Sequence, residues 1–551
     1  MVRRHFLHLS ASTFAAALFH KITFFSPGGI ALINLPDEVW ASIINANGTE
    51  QTIKLLKTYG NRFTYRDIEV ELKTSSNSQK VTIHSPGSAL TKVKLVWKYK
   101  TAANSKILGD HWERSYGDLA WKGINPTVQN SWYVIINDGK QTACFGVKTG
   151  PNTMCSWAVA PGQISLSLDT HTGGTGVKLG QRKLHAASIV TMLSAGNESP
   201  YASTTRFCKM MCDEPLFPEL PVYGINDWYV VYGKNSAETI KLQTATMAEL
   251  VSNTTNKPFS VIDDGWQVAD DFSLPNDKFK DMEKVADDIK QIGMKPGLWT
   301  RPLIAKTSDP KTLLAPNIAG RNDPNELILD PTIPETLERI RYNLATYKKW
   351  GFEMVKHDYS SYDIFGKWGF QMGESFTQPG WKYYDETKTN AEIINQLYQT
   401  IKDASKGMYV IGCNTVSHLS AGMFHLCRTG DDTSGKEWAR TKKMGVNTLG
   451  FRLPQHNNFY AADGDCVGLT KDVPWEKNKQ WLQLLAESGS PLFISAQTDI
   501  LDADKKAAIK LAFVQAATVQ PTGEPLDWME NQWPAKWKLN KRVVNFDWDA
   551  D

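Results

Sequence analysis

Three things are scarce in this sequence, and each closes off a class of function. Cysteine is the first: seven residues in 551 (Cys144, Cys155, Cys208, Cys212, Cys413, Cys427 and Cys466), odd in number and scattered. Cys208-x-x-x-Cys212 has no second pair and no histidine partner at ligand spacing, so no metal site is expected, and a disulfide between the two stays open. Charge of one sign is the second. Lys+Arg 61 against Asp+Glu 58 leaves a net +3, too balanced for a nucleic-acid partner. The third is a long apolar run. No stretch of about 20 apolar residues occurs, so no membrane-spanning helix and no stable membrane insertion are expected.

Aromatic residues are plentiful, with 19 Trp and 18 Tyr. They fill large cores, and their faces also stack on the apolar faces of sugar rings. At the N-terminus, Arg3-Arg4-His5-Phe6-Leu7 precedes a mildly apolar stretch, Ser10 to Phe19. Paired arginines before such a stretch resemble a twin-arginine export signal, with an ordinary secretory signal as the alternative. Residues 1–34 are therefore expected to be an export signal, and the protein to be periplasmic or extracellular.

From Leu35 to Pro215 the chain reads as strands. Arg62 to Leu72, Val81 to His84 and Val93 to Trp97 alternate apolar and polar side chains between clusters of Gly, Asn, Ser and Pro, with no amphipathic helix evident. That pattern predicts an antiparallel β-sandwich. Leu108 to Trp121 breaks it with a polar, aromatic, Gly-punctuated segment suited to a long loop, either simply packed or reaching a ligand site. After a linker at Pro215 to Pro221, strand-like runs alternate with helical ones.

Eight strands are expected, at Tyr223 to Tyr232, Phe259 to Ile262, Met294 to Trp299, Phe352 to Lys356, Met408 to Cys413, Met423 to Arg428, Val446 to Phe451 and Leu492 to Ser495. Helices are expected between them, among others at Ser236 to Ser252, Phe279 to Ile292, Pro334 to Trp350, Ala391 to Ser405 and Glu476 to Ser488. This alternation predicts a (β/α)8 barrel over residues 216–520. Residues 521–551, ending in Arg542 to Trp548, read as the start of a C-terminal β element that the chain leaves unfinished.

In a barrel, chemistry sits just past the C-terminal end of each strand. Polar residues gather at those places: Asp263, Asp264 and Trp266 after the second strand, Trp299 and Arg301 after the third, Lys356 and Asp358 after the fourth, Cys413 and Asn414 after the fifth, and Arg428, Asp431 and Asp432 after the sixth. Lys356 and Asp358 are two apart and so point the same way on an extended chain, a cation set to hold a carboxylate ionised. Carboxylates accept from sugar hydroxyls, cations donate to them, and indoles stack. Two carboxylates about 5 Å apart suffice to cleave a glycosidic bond with retention. The fourth and sixth strands are two steps apart, so Asp358 can face Asp431 or Asp432 across the mouth.

These residues also carry a resemblance. Val261 to Gln267 (VIDDGWQ), Gly293 to Trp299 (GMKPGLW), Lys356 to Asp358 (KHD), Arg428 to Thr433 (RTGDDT) and Ser490 to Ser495 (SPLFIS) resemble, in order, motifs of glycoside hydrolase families 27 and 36, the retaining α-galactosidase clan, and more closely family 36. The resemblance implies a nucleophile at Asp358 and selects Asp432 over Asp431 as acid/base. It also implies that Asp263 and Asp264 hold the 4- and 6-hydroxyls of galactose, that Lys356 and Arg428 bind hydroxyls, and that Trp299 forms an aromatic wall. No cofactor is implied. Two departures lie at the pocket wall: Arg301-Pro302 stands where the family has an acidic residue, and Cys413-Asn-Thr-Val-Ser-His418 replaces a Cys-Ser-Gly-Gly-like loop. The resulting expectation is an exported, retaining α-glycosidase acting on α-linked oligo- or polysaccharides, an α-galactosidase first. The alternatives are a raffinose-synthase-like transglycosylase and a non-catalytic sugar-binding barrel.

Overall fold

The computed structural model describes residues 32–549, apart from 76–77, 253–254, 270, 306–311, 313, 315–326 and 374. Residues 1–31, most of the expected export signal, lie outside the described residues. Leu32 already donates its backbone N–H to Thr191 Oγ1 at 3.2 Å, and the Asn34 carbonyl accepts from Trp97 Nε1 at 2.8 Å.

The first half of the chain builds the expected antiparallel architecture as one 13-stranded sheet. Alternation decides which face is inside. In the strand Ala89–Lys98, Val93, Leu95 and Trp97 are at most 2% exposed, while Lys94 and Val96 between them are half-buried on the other face. The sheet rejoins itself, because Thr142–Val147 pairs with both Leu184–Leu193 and Asn130–Asn137. One helix in this region escaped the sequence pattern. Pro200–Met211 starts at Ser199, whose hydroxyl accepts from Ala202 N, with Pro200 at its first position. It buries Phe207, Cys208 and Met211. Cys208 and Cys212 are both free thiols, as are the other five cysteines, and all are buried.

The second half is a parallel sheet. Its strands are β1 (Tyr223–Asn226), β2 (Phe259–Ile262), β3 (Lys295–Thr300), β4 (Met354–His357), β5 (Tyr409–Gly412), β6 (Leu426–Arg428), β7 (Ala461–Asp463), β8 (Cys466–Leu469) and β9 (Leu492–Ala496). They lie in the order β7-β6-β5-β4-β3-β2-β1-β9-β8. The two outermost strands of that order, β7 and β8, are neighbours in the chain, separated by Gly464 and Asp465 alone. Every residue of β1, β2 and β4 is buried, as a sheet covered on both faces requires. Between strands come the helices Ala237–Ala248, Met282–Ile292, Pro334–Lys349, Asn390–Ala404 and Trp475–Glu487, each within a few residues of its expected place.

Two strand expectations are corrected. The first strand ends at Asn226 rather than Tyr232, and a short helical turn, Trp228–Val231, follows. The seventh strand is not Val446 to Phe451. Lys442–Asn447 is π-helical and Thr448–Arg452 α-helical, with Val446, Leu449 and Phe451 buried in the core. A short apolar run fits a buried helix as well as a buried strand, and periodicity alone cannot separate them. At the C-terminus, Glu524–Pro525, Lys536–Leu539 and Arg542–Asn545 form a three-stranded antiparallel sheet.

Candidate active site

The C-terminal ends of β1 to β7, with the turn from β7 into β8, carry one cluster of charged side chains. Asp358 leaves β4 with its backbone N–H on Thr300 O at 3.0 Å. Its Oδ1 accepts from Tyr359 N at 2.8 Å and its Oδ2 from Trp299 Nε1 at 3.1 Å. Tyr359 stands at φ +66°, a left-handed conformation rare for an aromatic residue, which turns the chain sharply beneath the carboxylate. Burial pushes the Tyr359 hydroxyl above the usual phenol range, with Asp358 and Asp432 adding to the rise while Arg301 and Arg114 oppose it. The hydroxyl therefore lies in the field of both carboxylates.

Lys356 does not serve Asp358 directly, contrary to the two-residue spacing argument. Its ammonium bonds Asp263 Oδ2 at 2.7 Å. Burial disfavours its charged form, but Asp263, with Cys413 and Asp465 adding, more than offsets that and keeps the ammonium charged. Asp263 also accepts from Asn226 Nδ2 at 2.7 Å and from Asp264 N at 2.9 Å, and its own N–H donates to Asp227 Oδ1 at 2.7 Å. Burial, with the nearby Asp263 charge, pushes Asp227 up to about 7. Asp264 is half-buried and accepts from Gln267 Nε2 at 2.7 Å. Burial raises its carboxyl as well.

At β6 the adjacent aspartates differ. Asp431 is clamped between two guanidinium groups, with Oδ1 on Arg114 Nη2 at 2.7 Å and Oδ2 on Arg440 Nη2 at 2.8 Å. The ion pairs of Asp432 among the described residues are longer, 3.3 Å to Arg428 Nη2 and 3.9 Å to Arg114 Nη1, and its side chain is 36% exposed. Burial favours its neutral form, but Arg428, Arg114, Lys356 and Arg440 together win and hold the carboxyl below its ordinary value. Arg428 is buried, its Nη2 on Asp465 Oδ2 at 2.9 Å and its Nη1 donating to Cys413 Sγ at 3.4 Å.

The remaining expected site residues divide. Cys413 is 1% exposed and accepts from Arg114 as well as Arg428, so its thiol lines the base of the cation cluster. Asn414 is fully buried, donating to Glu113 Oε2 at 2.5 Å and accepting from Tyr362 N at 3.0 Å; it is framework rather than pocket surface. Arg301 grips Asp363, with Nη2 on Oδ1 at 2.6 Å, and lies 4.3 Å over the Tyr359 ring. Trp266 presents no face to a ligand. It is 0% exposed, packed edge-on against Phe272, Tyr347 and Trp350, and its Nε1 donates to Trp299 O at 2.9 Å. It braces Trp299 from behind.

Two groups were missed. Asp463 and Asp465 flank the break between β7 and β8; Asp465, at φ +70°, accepts from Tyr229 OH and from Thr433 N at 2.8 Å, and its own N–H donates to Asp463 Oδ1 at 3.0 Å. Misplacing the seventh strand hid them. The other group is Glu113, Arg114 and Tyr116, from the expected loop at Leu108 to Trp121, of which Leu108 to Asp110 prove to be the end of a strand, Lys106–Asp110. Glu113 accepts from Asn414, Ser361, Tyr116 and the Gly369 backbone N–H (2.8 Å), which seats the loop on the segments after β4 and β5. The signal was present as a charged pair inside a polar aromatic run, but nothing local says where that loop lands.

No family model matches the chain. Solved structures do resemble it. The α-galactosidase TtGalA of Thermus thermophilus, in complex with p-nitrophenyl α-D-galactopyranoside, superposes with a TM-score of 0.60 at 16% identity, over 88% of this chain and 99% of that one. A doubly substituted form of the family 36 α-galactosidase AgaA of Geobacillus stearothermophilus, in complex with raffinose, gives 0.60 at 13% identity over 91% of this chain and 79% of that one. The galactosidase domain of the α-galactosidase–sucrose kinase AgaSK gives 0.56 at 15%, over 86% and 73%. At such identities the likeness establishes architecture, and the chain shares the fold of the family 36 α-galactosidases.

Proposed function

We propose that this protein is a retaining α-glycosidase, in the first instance an α-galactosidase acting on α-linked oligosaccharides. In this reading the parallel sheet is a closed (β/α)8 barrel, with β7 and β8 the two halves of one broken seventh strand. The observation that carries the proposal is the contrast between two strand-end carboxylates, Asp358, anchored by Trp299 Nε1 at 3.1 Å and Tyr359 N at 2.8 Å, and Asp432, held among the described residues only by the longer ion pairs to Arg428 and Arg114. Trp299 Nε1 and Tyr359 N fix Asp358 for attack. Asp432, less tightly gripped than Asp431, is the one able to reach a leaving oxygen.

In the first step an Asp358 oxygen bonds to the anomeric carbon, the glycosidic C–O bond breaks, and its oxygen takes the Asp432 proton. In the second, a water gives a proton to Asp432 as its oxygen displaces Asp358 from the same carbon. Lys356, Arg428 and the Asp263–Asp264 pair orient the hydroxyls. The cations around Asp432 favour its ionised form, so protonation, and with it the first step, is favoured toward the acid side of neutral. Export through the Arg3-Arg4 leader belongs to the same reading.

The test is a panel of aryl α-glycosides with the anomer of the released sugar followed by NMR. Hydrolysis of the α-galactoside with α-galactose as first product is expected. Release of the β-anomer would sink the double displacement, and no turnover of any α-glycoside would sink the hydrolase.

A further inference from the structure

The antiparallel domain is more than a neighbour of this site. Its strand Lys106–Asp110 ends at Asp110, whose carboxylate is held by Arg452 Nε at 2.7 Å and Gln455 Nε2 at 2.8 Å. The chain then crosses to the parallel sheet, braced by Trp132 Nε1 on the Trp112 carbonyl at 3.3 Å. There it forms a short parallel ladder with the acid loop. Ser115 N donates to Thr429 O and Asp431 N to Ser115 O, both at 2.9 Å. The ladder aims Arg114 at the Asp431–Asp432 pair, with its guanidinium 5.5 Å from the Trp368 ring. Arg114 is 6% exposed, and its Nε has no hydrogen-bond partner among the described residues.

The geometry points to Arg114 as a positioning residue for the acid/base: carried in from the other domain, it pins Asp431 and so leaves Asp432 as the one carboxylate free to exchange a proton with substrate. This rests on the hydrolase reading for its catalytic meaning. Asp431, left with Arg440 alone, would otherwise be a second anion competing for the same cations and the same proton. Charged and titratable groups around Asp432 include Arg428, Lys356, Arg440, Asp431 and the hydroxyls of Tyr229, Tyr232 and Tyr359, all of them carried by the parallel-sheet half. Among the described groups with an ion pair to Asp432, Arg114 is the one that the antiparallel domain supplies.

The experiment compares wild type, Arg114→Gln and Arg114→Lys in the full chain, with folding checked by circular dichroism. Removing the cation favours the neutral acid, so the basic limb of kcat/KM is expected to move to higher pH in Arg114→Gln and to stay near wild type in Arg114→Lys. With Asp431 loosened, kcat on an α-linked oligosaccharide is expected to fall ~100-fold in Arg114→Gln. On a nitrophenyl glycoside, whose leaving group needs little protonation, it is expected to fall far less. Equal losses on both substrates with an unmoved limb would reduce Arg114 to a structural strut and overturn the proposal. A ¹³C titration of aspartate carboxyls, assigned with Asp432→Asn, gives a readout independent of turnover. The Asp432 resonance should titrate higher in Arg114→Gln, and an unchanged curve overturns the assignment. A wild type inactive on every α-glycoside would defeat the hydrolase reading, while the titration would still decide the place of Arg114.

Discussion

The strand ends of the parallel sheet and the loop leaving the antiparallel sheet at Asp110 supply neighbouring groups to one site by different physics. Asp263, Lys356, Asp358 and Arg428 each stand at or just past the end of a buried strand, so the sheet's register sets their positions. Trp299 lies opposite Lys356, and Lys356 opposite Ile411. Arg114 stands on no buried strand and has only the single bridge at Ser115 beside it. Its place comes from Glu113 and Asp110, buried carboxylates that collect hydrogen bonds from segments far along the chain. Strand-borne groups thus inherit the rigidity of a core, whereas the loop-borne group depends on a small polar network and is the more easily displaced.

Four perturbations sharpen or break this contrast, and they begin on the strand side. Asp358→Ala should lower kcat on an α-galactoside by about 10⁴-fold or more with the fold intact; steady-state kinetics within tenfold of wild type would remove Asp358 as nucleophile. Asp432→Asn should cost ~10²- to 10⁴-fold on an oligosaccharide, against a much smaller loss for Asp431→Asn. Equal losses would show that the clamp of Arg114 and Arg440 on Asp431 does not discriminate between the pair.

On the loop side, Glu113→Ala strands buried donors from Ser361, Asn414, Tyr116 and Gly369. It should cost about 3 kcal/mol in urea unfolding, and a cost below about 1 kcal/mol would mean the loop is held by something else.

The mildest perturbation is pH. Burial depresses His357, at the end of β4, and His418, which stacks on Trp132 and bonds the Val147 carbonyl at 2.8 Å, to about 4 from the ordinary 6.5. A folded-state value below the unfolded one gives stability that is complete above about 6.5 and lost as pH falls toward 4, roughly 1 kcal/mol per imidazole by about pH 5.5. Replacing His418, which bridges the two halves, should flatten that slope, as monitored by urea midpoints across pH.

The strand-borne part of the site was legible because its signals are local. An apolar run such as Phe259 to Ile262 followed by Asp263-Asp264-Gly265 states both the strand and the polar end of it. The errors came where local pattern is silent. Val446 to Phe451 is apolar enough for a strand but is helical, and that hid Asp463 and Asp465. Trp266 stood among candidate ligands because sequence does not tell an indole facing a pocket from one behind its wall. Lys356 and Asp358 are two apart, but the ammonium bonds Asp263, a partner 93 positions away, and Asp358 bonds Trp299 and Tyr359 N. Arg114 lay in a segment correctly marked as irregular, and its destination is set by tertiary contacts alone.

The ladder between Ser115 and Gly430 also constrains the order of assembly. Glu113 and Asn414, which lock it, are separated by 301 positions, so the contact cannot form until both sheets exist and have docked. During synthesis the strand that ends at Asp358 can be complete before Asp431 has met its partner from the earlier domain. Competence for chemistry should then be the last property the newly made chain acquires, and recovery of turnover on refolding should trail recovery of secondary structure.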